Sequence, residues 1–281
     1  MSRKTKNAIG TTIRVLVLVF FFLLVVLPIY WIVITSFKTS GEILDLNNIT
    51  FFPKDFTLEN YTGLFEQFHY GVLLKEQLAR IGWHLRLLLR YSLCWEDTLW
   101  RVINSEENRR LFYFFLITQM IPGILVIIPL YIIFSKLGMI NTHIGLFIYY
   151  VTVNLPFCVI TMRSFFERIP ITLEEAAKVD GCTKMQSLFK IVFPIMFPGI
   201  VSVFVFGFIG AWNELIAGSI FISTPEMWTI PVGLKTLIGK YNVEWGLLMA
   251  GGVMALIPTA LMFAVMQKFI VEGMTAGAVK E

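Results

Sequence analysis

The 281 residues are 57% hydrophobic and only 15% charged, with a mean hydropathy of +0.74. That composition excludes an ordinary water-soluble globular domain and leaves an integral membrane protein. The net charge of +4 suits basic cytoplasmic loops better than a nucleic-acid surface.

Crossing about 30 Å of hydrocarbon takes roughly 20 helical residues. Apolar runs of that order occupy residues 13–36, 111–134, 143–162, 192–213 and 247–267, which predicts five clear spans. The first carries basic flanks (Arg3, Lys4, Lys6, Arg14) like a signal peptide, but its apolar stretch is longer than a signal core and no A-x-A site follows. It reads as a retained anchor. Residues 37–70 are polar and aromatic with turn signals, and read as an external loop bearing a short helix after Thr57.

Residues 71–110 pose a parity problem. Lysine and arginine concentrate at Arg3, Lys4, Lys6 and Arg14, and again at Arg163, Arg168, Lys178, Lys184 and Lys190, so both regions belong on the cytoplasmic side. An even number of crossings must separate them, yet only three clear spans intervene. A fourth would have to lie in 71–110, which carries Lys75, Glu76, Arg80, Arg86, Arg90, Glu96, Asp97 and Arg101. Each central charge costs about 2.5–3.5 kcal/mol on insertion scales. Two other accounts stay open: an in-plane amphipathic segment using Trp83, Leu85, Leu88 and Leu89, or five spans with an external amino terminus.

The third and fourth spans each carry a buried polar residue, Gln119 and Asn154, expected to line a cavity or to bridge helices at about 1 kcal/mol each. Pro28, Pro122, Pro129, Pro156, Pro198 and Pro258 fall inside apolar runs, where they kink helices unless neighbours satisfy the freed carbonyls. Between the fourth and fifth spans, residues 163–191 form a polar island. Thr172 with Glu175 makes an S/T-x-x-E capping box that should start a helix, and Gly181 should end it. Thr183 with Gln186 repeats the box, and Met185, Leu188, Phe189 and Val192 share one face of a second helix. Ala177 and Gly181 form a small-residue pair that admits a close approach. The whole predicts a helix-turn-helix knob outside the bilayer.

The fifth span ends at Trp212, Asn213 and Glu214. An aromatic face beside hydrogen-bonding groups suits sugar hydroxyls and C–H faces, while an interfacial anchor followed by a solvated loop residue fits the same three residues. Residues 214–246 read as an outside connection. Cys94, Cys158 and Cys182 have no C-x-x-C spacing, and His69, His84 and His143 are isolated, so neither a disulfide framework nor a metal site is implied. The fold class is therefore all-α: one polytopic transmembrane domain, residues 1–281, with the 163–191 loop inside it.

Glu175, Ala176, Ala177, Gly181, Ile191 and Pro194 resemble the EAA-x3-G-x9-I-x-L-P motif of the membrane subunits of bacterial ATP-driven importers, with Phe193 where that family prefers Leu. Pro53 and the T-x-E-N-Y phrase at 57–61, the W-N-E phrase at 212–214 and the T-x-P-V-G-L phrase at 229–234 are similar to the same family. The ending from Gln267 to Lys280 resembles the second permease of maltose-type and multiple-sugar importers. The resemblance fails at 71–110, where relatives carry an apolar second span ending in a Y-A-x-A-R-x-K-F-x-G-K pattern. Codons for Asp97 to Asn108 can be chosen so that reading from the third base gives YALARYKFRGK. The segment is accordingly expected to be a frame-shifted reading of a normal second span.

The resemblance implies a six-span permease, paired with a second permease, two ATP-binding-cassette ATPases and an external binding protein that delivers a sugar. ATP and Mg would sit on the ATPases, with no cofactor on this chain. It assigns Glu175, Ala176, Ala177, Gly181, Ile191 and Pro194 to ATPase coupling, where Asp180 and Lys178 are available to add polar contacts or to form a solvated face, and implies a bacterial inner membrane with both termini cytoplasmic. The residues agree. The five spans hold no Asp, Glu, Lys or Arg beyond their ends, so the parts of an ion-coupled carrier or channel pathway are missing. No G-x-x-x-x-G-K-[ST] occurs, since Gly239-Lys240 is followed by Tyr241. A membrane-embedded enzyme would need a catalytic constellation that isolated histidines do not provide.

Overall fold

The computed structural model describes residues 3–94, 106–239 and 241–275. Apart from one isolated antiparallel bridge, Ile238 to Val243, the regular structure among the described residues is helical. The order is α1 (Arg3–Ser36), α2 (Ser40–Leu44), α3 (Glu59–Glu66), α4 (Tyr70–Cys94), α5 (Glu106–Gln119), α6 (Gly123–Lys136), α7 (His143–Phe166), α8 (Ile171–Val179), α9 (Lys184–Ser187), a π-turn (Leu188–Val192), α10 (Phe193–Trp212), α11 (Ile216–Phe221), α12 (Ile230–Thr236) and α13 (Trp245–Thr275).

The chain divides into two compact units, residues 1–70 with 234–257 and residues 71–233 with 258–281. In the first, α1 is apolar all round and its consecutive side chains from Ile13 to Leu27 are exposed. The loop after it is anchored by Asn60, whose Nδ2 donates to the carbonyls of Ser36 (2.9 Å) and Lys38 (2.8 Å), and by the hydroxyl pair of Ser36 and Tyr61 at 2.8 Å. The first half of α13 packs against α3 at Gly246. A Cβ there would lie 2.1 Å from Asn60 Oδ1, so only glycine admits this approach.

In the second unit α7 and α10 form the centre. Gly199 lets the Phe165 ring lie where a Cβ would be, Phe157 meets Phe206 edge-on, and the lower half of α13 adds Met262, Met266 and Phe269 around Val201 and Val205. Phe221 of α11 sits among Tyr131, Phe134 and Tyr149. Asn141, at φ 58°, fastens the segment before α7: its Oδ1 accepts from the N–H groups of Ser223 and Thr224.

Among the described residues, four helices are long and apolar enough to cross a membrane: 10–36, 143–166, 188–212 and 245–269. The expected third span is not one straight helix. Phe112–Gln119 and Gly123–Lys136 meet at 102°, the geometry of a broken span or a re-entrant loop. Pro122 is the N-cap of the second piece; it has no N–H to continue α5 and biases Ile121 away from helical backbone. Pro28, Pro129, Pro156, Pro198 and Pro258 all stay inside continuous helices.

Tyr70–Cys94 is a helix that carries Lys75, Glu76, Arg80, Arg86 and Arg90 and is not among those apolar enough to cross a membrane. Its inward stripe, Leu73, Gln77, Arg80, Ile81, His84 and Leu85, is buried and half polar. Of the residues proposed for an in-plane segment, Trp83 is exposed and Leu85 is buried. Most of the stretch read as frame-shifted, 97–105, lies outside the described residues.

Candidate functional site: a capped loop and a polar seam

The 163–191 loop begins where α7 ends. Arg163 pairs with Glu167 at 2.7 Å and lies 3.7 Å over the Phe112 ring, tying this end of α7 to α5. The first predicted capping box does not form. Helix α8 starts at Ile171 with Pro170 as its N-cap, and no side chain caps it; Thr172 is thus inside the first turn rather than before it.

The stop at Gly181 is built as a Schellman motif. Gly181 takes φ 78°, Cys182 N–H donates to Ala177 O (2.9 Å) and Gly181 N–H to Lys178 O (3.1 Å). A Cβ at Gly181 would meet nothing within 4 Å, so the demand for glycine is conformational, not steric. The second capping box forms in both directions: Thr183 N–H donates to Gln186 Oε1 (2.9 Å), and Gln186 N–H to Thr183 Oγ1 (3.3 Å).

Helix α9 does not end before the membrane helix. It runs through the π-turn into α10, where Phe193 N–H donates to Leu188 O, five residues back. Pro194 explains the widening: it donates no N–H, and its ring would clash with the carbonyl of residue 190 in a tight α-turn. Ala177 is buried within the loop, Ile191 is half-buried, and Glu175, Ala176, Asp180, Gly181 and Pro194 are exposed. Val179 is 87% exposed and Phe189 also faces outward. The knob therefore presents carboxylates beside bare apolar side chains on a rigid, doubly capped support.

The polar residues proposed for a pathway are not gathered in one place. Gln119 is the last residue of α5, exposed at the break instead of buried in mid-span. Asn154 is half-buried and its Nδ2 donates to Tyr150 O, one turn back, at 2.9 Å. Trp212 is 1% exposed, its ring stacked on Phe208 at 5.4 Å. Asn213 is exposed and donates to Ile209 O at 3.0 Å. Glu214 caps α11: its carboxylate accepts from the N–H groups of Ala217 (2.6 Å) and Gly218 (2.7 Å). Burial raises the Glu214 pKa, and those N–H groups pull it back. Trp212 and Glu214 thus have structural duties inside the fold.

The sequence reading missed Gln77. Its Nε2 donates to Trp212 O (2.8 Å) and its Oε1 accepts from Ile230 N–H (2.6 Å). One buried amide thereby ties the carboxyl end of α10 to the amino end of α12, accepting and donating at once. Arg80 continues the seam, donating from Nη2 to Trp228 O at 3.2 Å. Beyond it, Arg80 Nη1, both ring nitrogens of His84 and the Tyr150 hydroxyl are buried with no hydrogen-bond partner among the described residues. The spacing of Gln77, Arg80 and His84, close to one face of a helix, was the available signal.

With this geometry in place, the chain was compared with known proteins. The family described as "Binding-protein-dependent transport system inner membrane component" matches residues 102–275. The chain belongs to that family. Among its relatives, the inner membrane ABC transporter permease protein YcjP of Escherichia coli (strain K12) is 33% identical over 272 residues, covering 94% of each chain. The diacetylchitobiose uptake system permease protein DasC of Streptomyces coelicolor is 33% identical over 259 residues, 92% of this chain and 93% of that one. The crystal structure of a bacterial ABC transporter that imports the acidic polysaccharide alginate contains a chain of the same fold, with a TM-score of 0.76 at 20% identity, covering 96% of this chain and 99% of that chain. The permease is a multi-pass inner-membrane protein and the non-catalytic membrane subunit of an ABC transporter. It works with other components of such a transporter, and ATP hydrolysis belongs to the partner ATPase.

Proposed function

We propose that this permease forms, with a second permease, the pathway by which a carbohydrate, a mono- or oligosaccharide, is taken up across the inner membrane. A solute-binding protein delivers the sugar from outside. Two ATP-binding-cassette subunits, which hold ATP and Mg, grip the 163–191 loop from the cytoplasm. The chain itself binds no cofactor, and both termini are cytoplasmic. Relatives named for diacetylchitobiose, arabinooligosaccharides, galactooligosaccharides and trehalose support the sugar class.

The observation that carries the coupling role is the knob of α8 and α9, fixed at Gly181 by two backbone hydrogen bonds and at Thr183 by a reciprocal cap. Because α9 is continuous with α10 through the π-turn, a push on the knob is a push on a membrane helix. Glu175, Ala176, Asp180 and Gly181 form the surface that the ATPase meets, Ala177 fills the space beneath, and Ile191 and Pro194 shape the joint. Asn154 and Asn213, with Gln119 at the break, are the polar groups left for the pathway, and Trp212 and Glu214 shape its wall. ATP-driven uptake of labelled oligosaccharides into proteoliposomes holding the assembled complex tests the reading. Uptake that persists without the ATPase would overturn it in favour of a carrier or channel.

A further inference from the structure

We infer that the loop between α2 and α3 is a membrane-surface anchor, with Phe51 and Phe52 seated in the lipid headgroup–acyl boundary at the end of α1. Depth is set by α1. From Ile13 to Trp31 is eighteen residue steps, about 27 Å of helix, close to the roughly 30 Å of a hydrocarbon core. Tyr30 and Trp31 therefore stand at the level where amphipathic aromatic rings collect.

The loop folds back to that level. Tyr30 donates from its hydroxyl to Phe51 O at 2.5 Å, Trp31 meets Phe51 edge-on at 6.2 Å, and Tyr30 meets Phe52 at 6.3 Å. Three of its polar side chains turn inward at the same time. Lys38 Nζ donates to Thr50 O at 2.6 Å, and the Glu42 carboxylate takes the Thr50 hydroxyl and the Lys54 N–H. The apolar side chains that remain outward include Leu46, Ile49, Phe51 and Phe52, of which Phe52 is 73% exposed, with Asp45, Asn47, Asn48, Lys54 and Asp55 as the polar residues exposed around them. Exposed apolar side chains in a cluster mark a contact surface. The occupant here is lipid, because the cluster is continuous through Tyr30 and Trp31 with the apolar α1 surface, exposed on consecutive residues and hence on every side. The inference needs only that α1 crosses the bilayer, so it stands or falls apart from the sugar and ATPase readings.

The test uses the unaltered chain, assembled with its partner subunits in phospholipid nanodiscs in which some lipids carry a carbene-generating diazirine near the glycerol. After irradiation and trypsin, the fragment covering residues 39–54 is read by mass spectrometry. The expected result is label on residues 49–52 at a level within a few-fold of that on the 15–38 fragment of α1. An unlabelled 39–54 fragment beside a labelled 15–38 fragment overturns the inference. In a parallel aqueous hydroxyl-radical experiment, Phe51 and Phe52 should be protected. Ready oxidation would mean that water covers them, and protection without lipid label would mean that another protein does; either outcome sinks the proposal.

Discussion

Gln77 and His84 lie on one buried face of α4, and replacing each by leucine should move stability in opposite directions. Gln77 satisfies a carbonyl at the end of α10 and an N–H at the start of α12, at 2.8 and 2.6 Å. Gln77→Leu removes both hydrogen bonds and takes from the buried Ile230 N–H its acceptor, a loss of about 1–3 kcal/mol. His84 is fully buried with neither ring nitrogen paired among the described residues, so its imidazole already carries such a penalty. His84→Leu, a side chain of similar size, should recover about 1–3 kcal/mol. The assay is unfolding of the purified permease in one detergent, followed thermally and by denaturant, with both variants beside the parent. Refutation would be a His84→Leu variant as destabilised as Gln77→Leu, since the imidazole would then have a partner outside the described residues.

At Gly246, alanine would push a Cβ into Asn60 Oδ1, 2.1 Å away; Gly246→Ala should destabilise by about 1–3 kcal/mol, and much of that loss should vanish in an Asn60→Ala background, which a double-mutant cycle would read. Thr183→Ala removes one side of the reciprocal cap and should cost α9 about 1 kcal/mol, seen as faster amide exchange at Gln186 with the exchange of α7 unchanged. The frame-shift account and the Gln77 and His84 readings exclude one another: a gene that permits the shifted reading across 71–110, with an apolar second span in the other frame, would mean a native chain without those two side chains. Third-position bases that forbid it, or tryptic peptides from 81–86 recovered from native membranes, would end that account.

The spans were legible because hydrocarbon thickness sets one length for every crossing, and the composition of α1, α7, α10 and α13 meets it. The loop was legible where its signals are local: glycine at a positive φ, and Thr183 three residues before Gln186. Thr172 misled because Pro170, two residues earlier, also starts helices and here does so. Pro122 breaks a helix while Pro129 and Pro156 do not, a difference that the residue type alone does not announce. The Gln77 seam was legible only as a polar spacing, Gln77, Arg80 and His84 near one face of a helix; its partners lie 135 and 153 residues away and no local pattern announces them. The same holds for Trp212, whose W-N-E context gives no sign that its ring is stacked inside the fold.

The central claim is that work enters this permease through the α8–α9 knob. Gly181→Ala strains a backbone at φ 78° by about 1–2 kcal/mol, and Glu175→Ala strips the exposed carboxylate from the same surface. The decisive measurement is ATP hydrolysis and sugar uptake by proteoliposomes carrying the Glu175→Ala, Gly181→Ala double variant, with assembly checked by co-purification. The account predicts loss of ATPase association, or hydrolysis that no longer drives uptake. Wild-type assembly, hydrolysis and uptake together would contradict it.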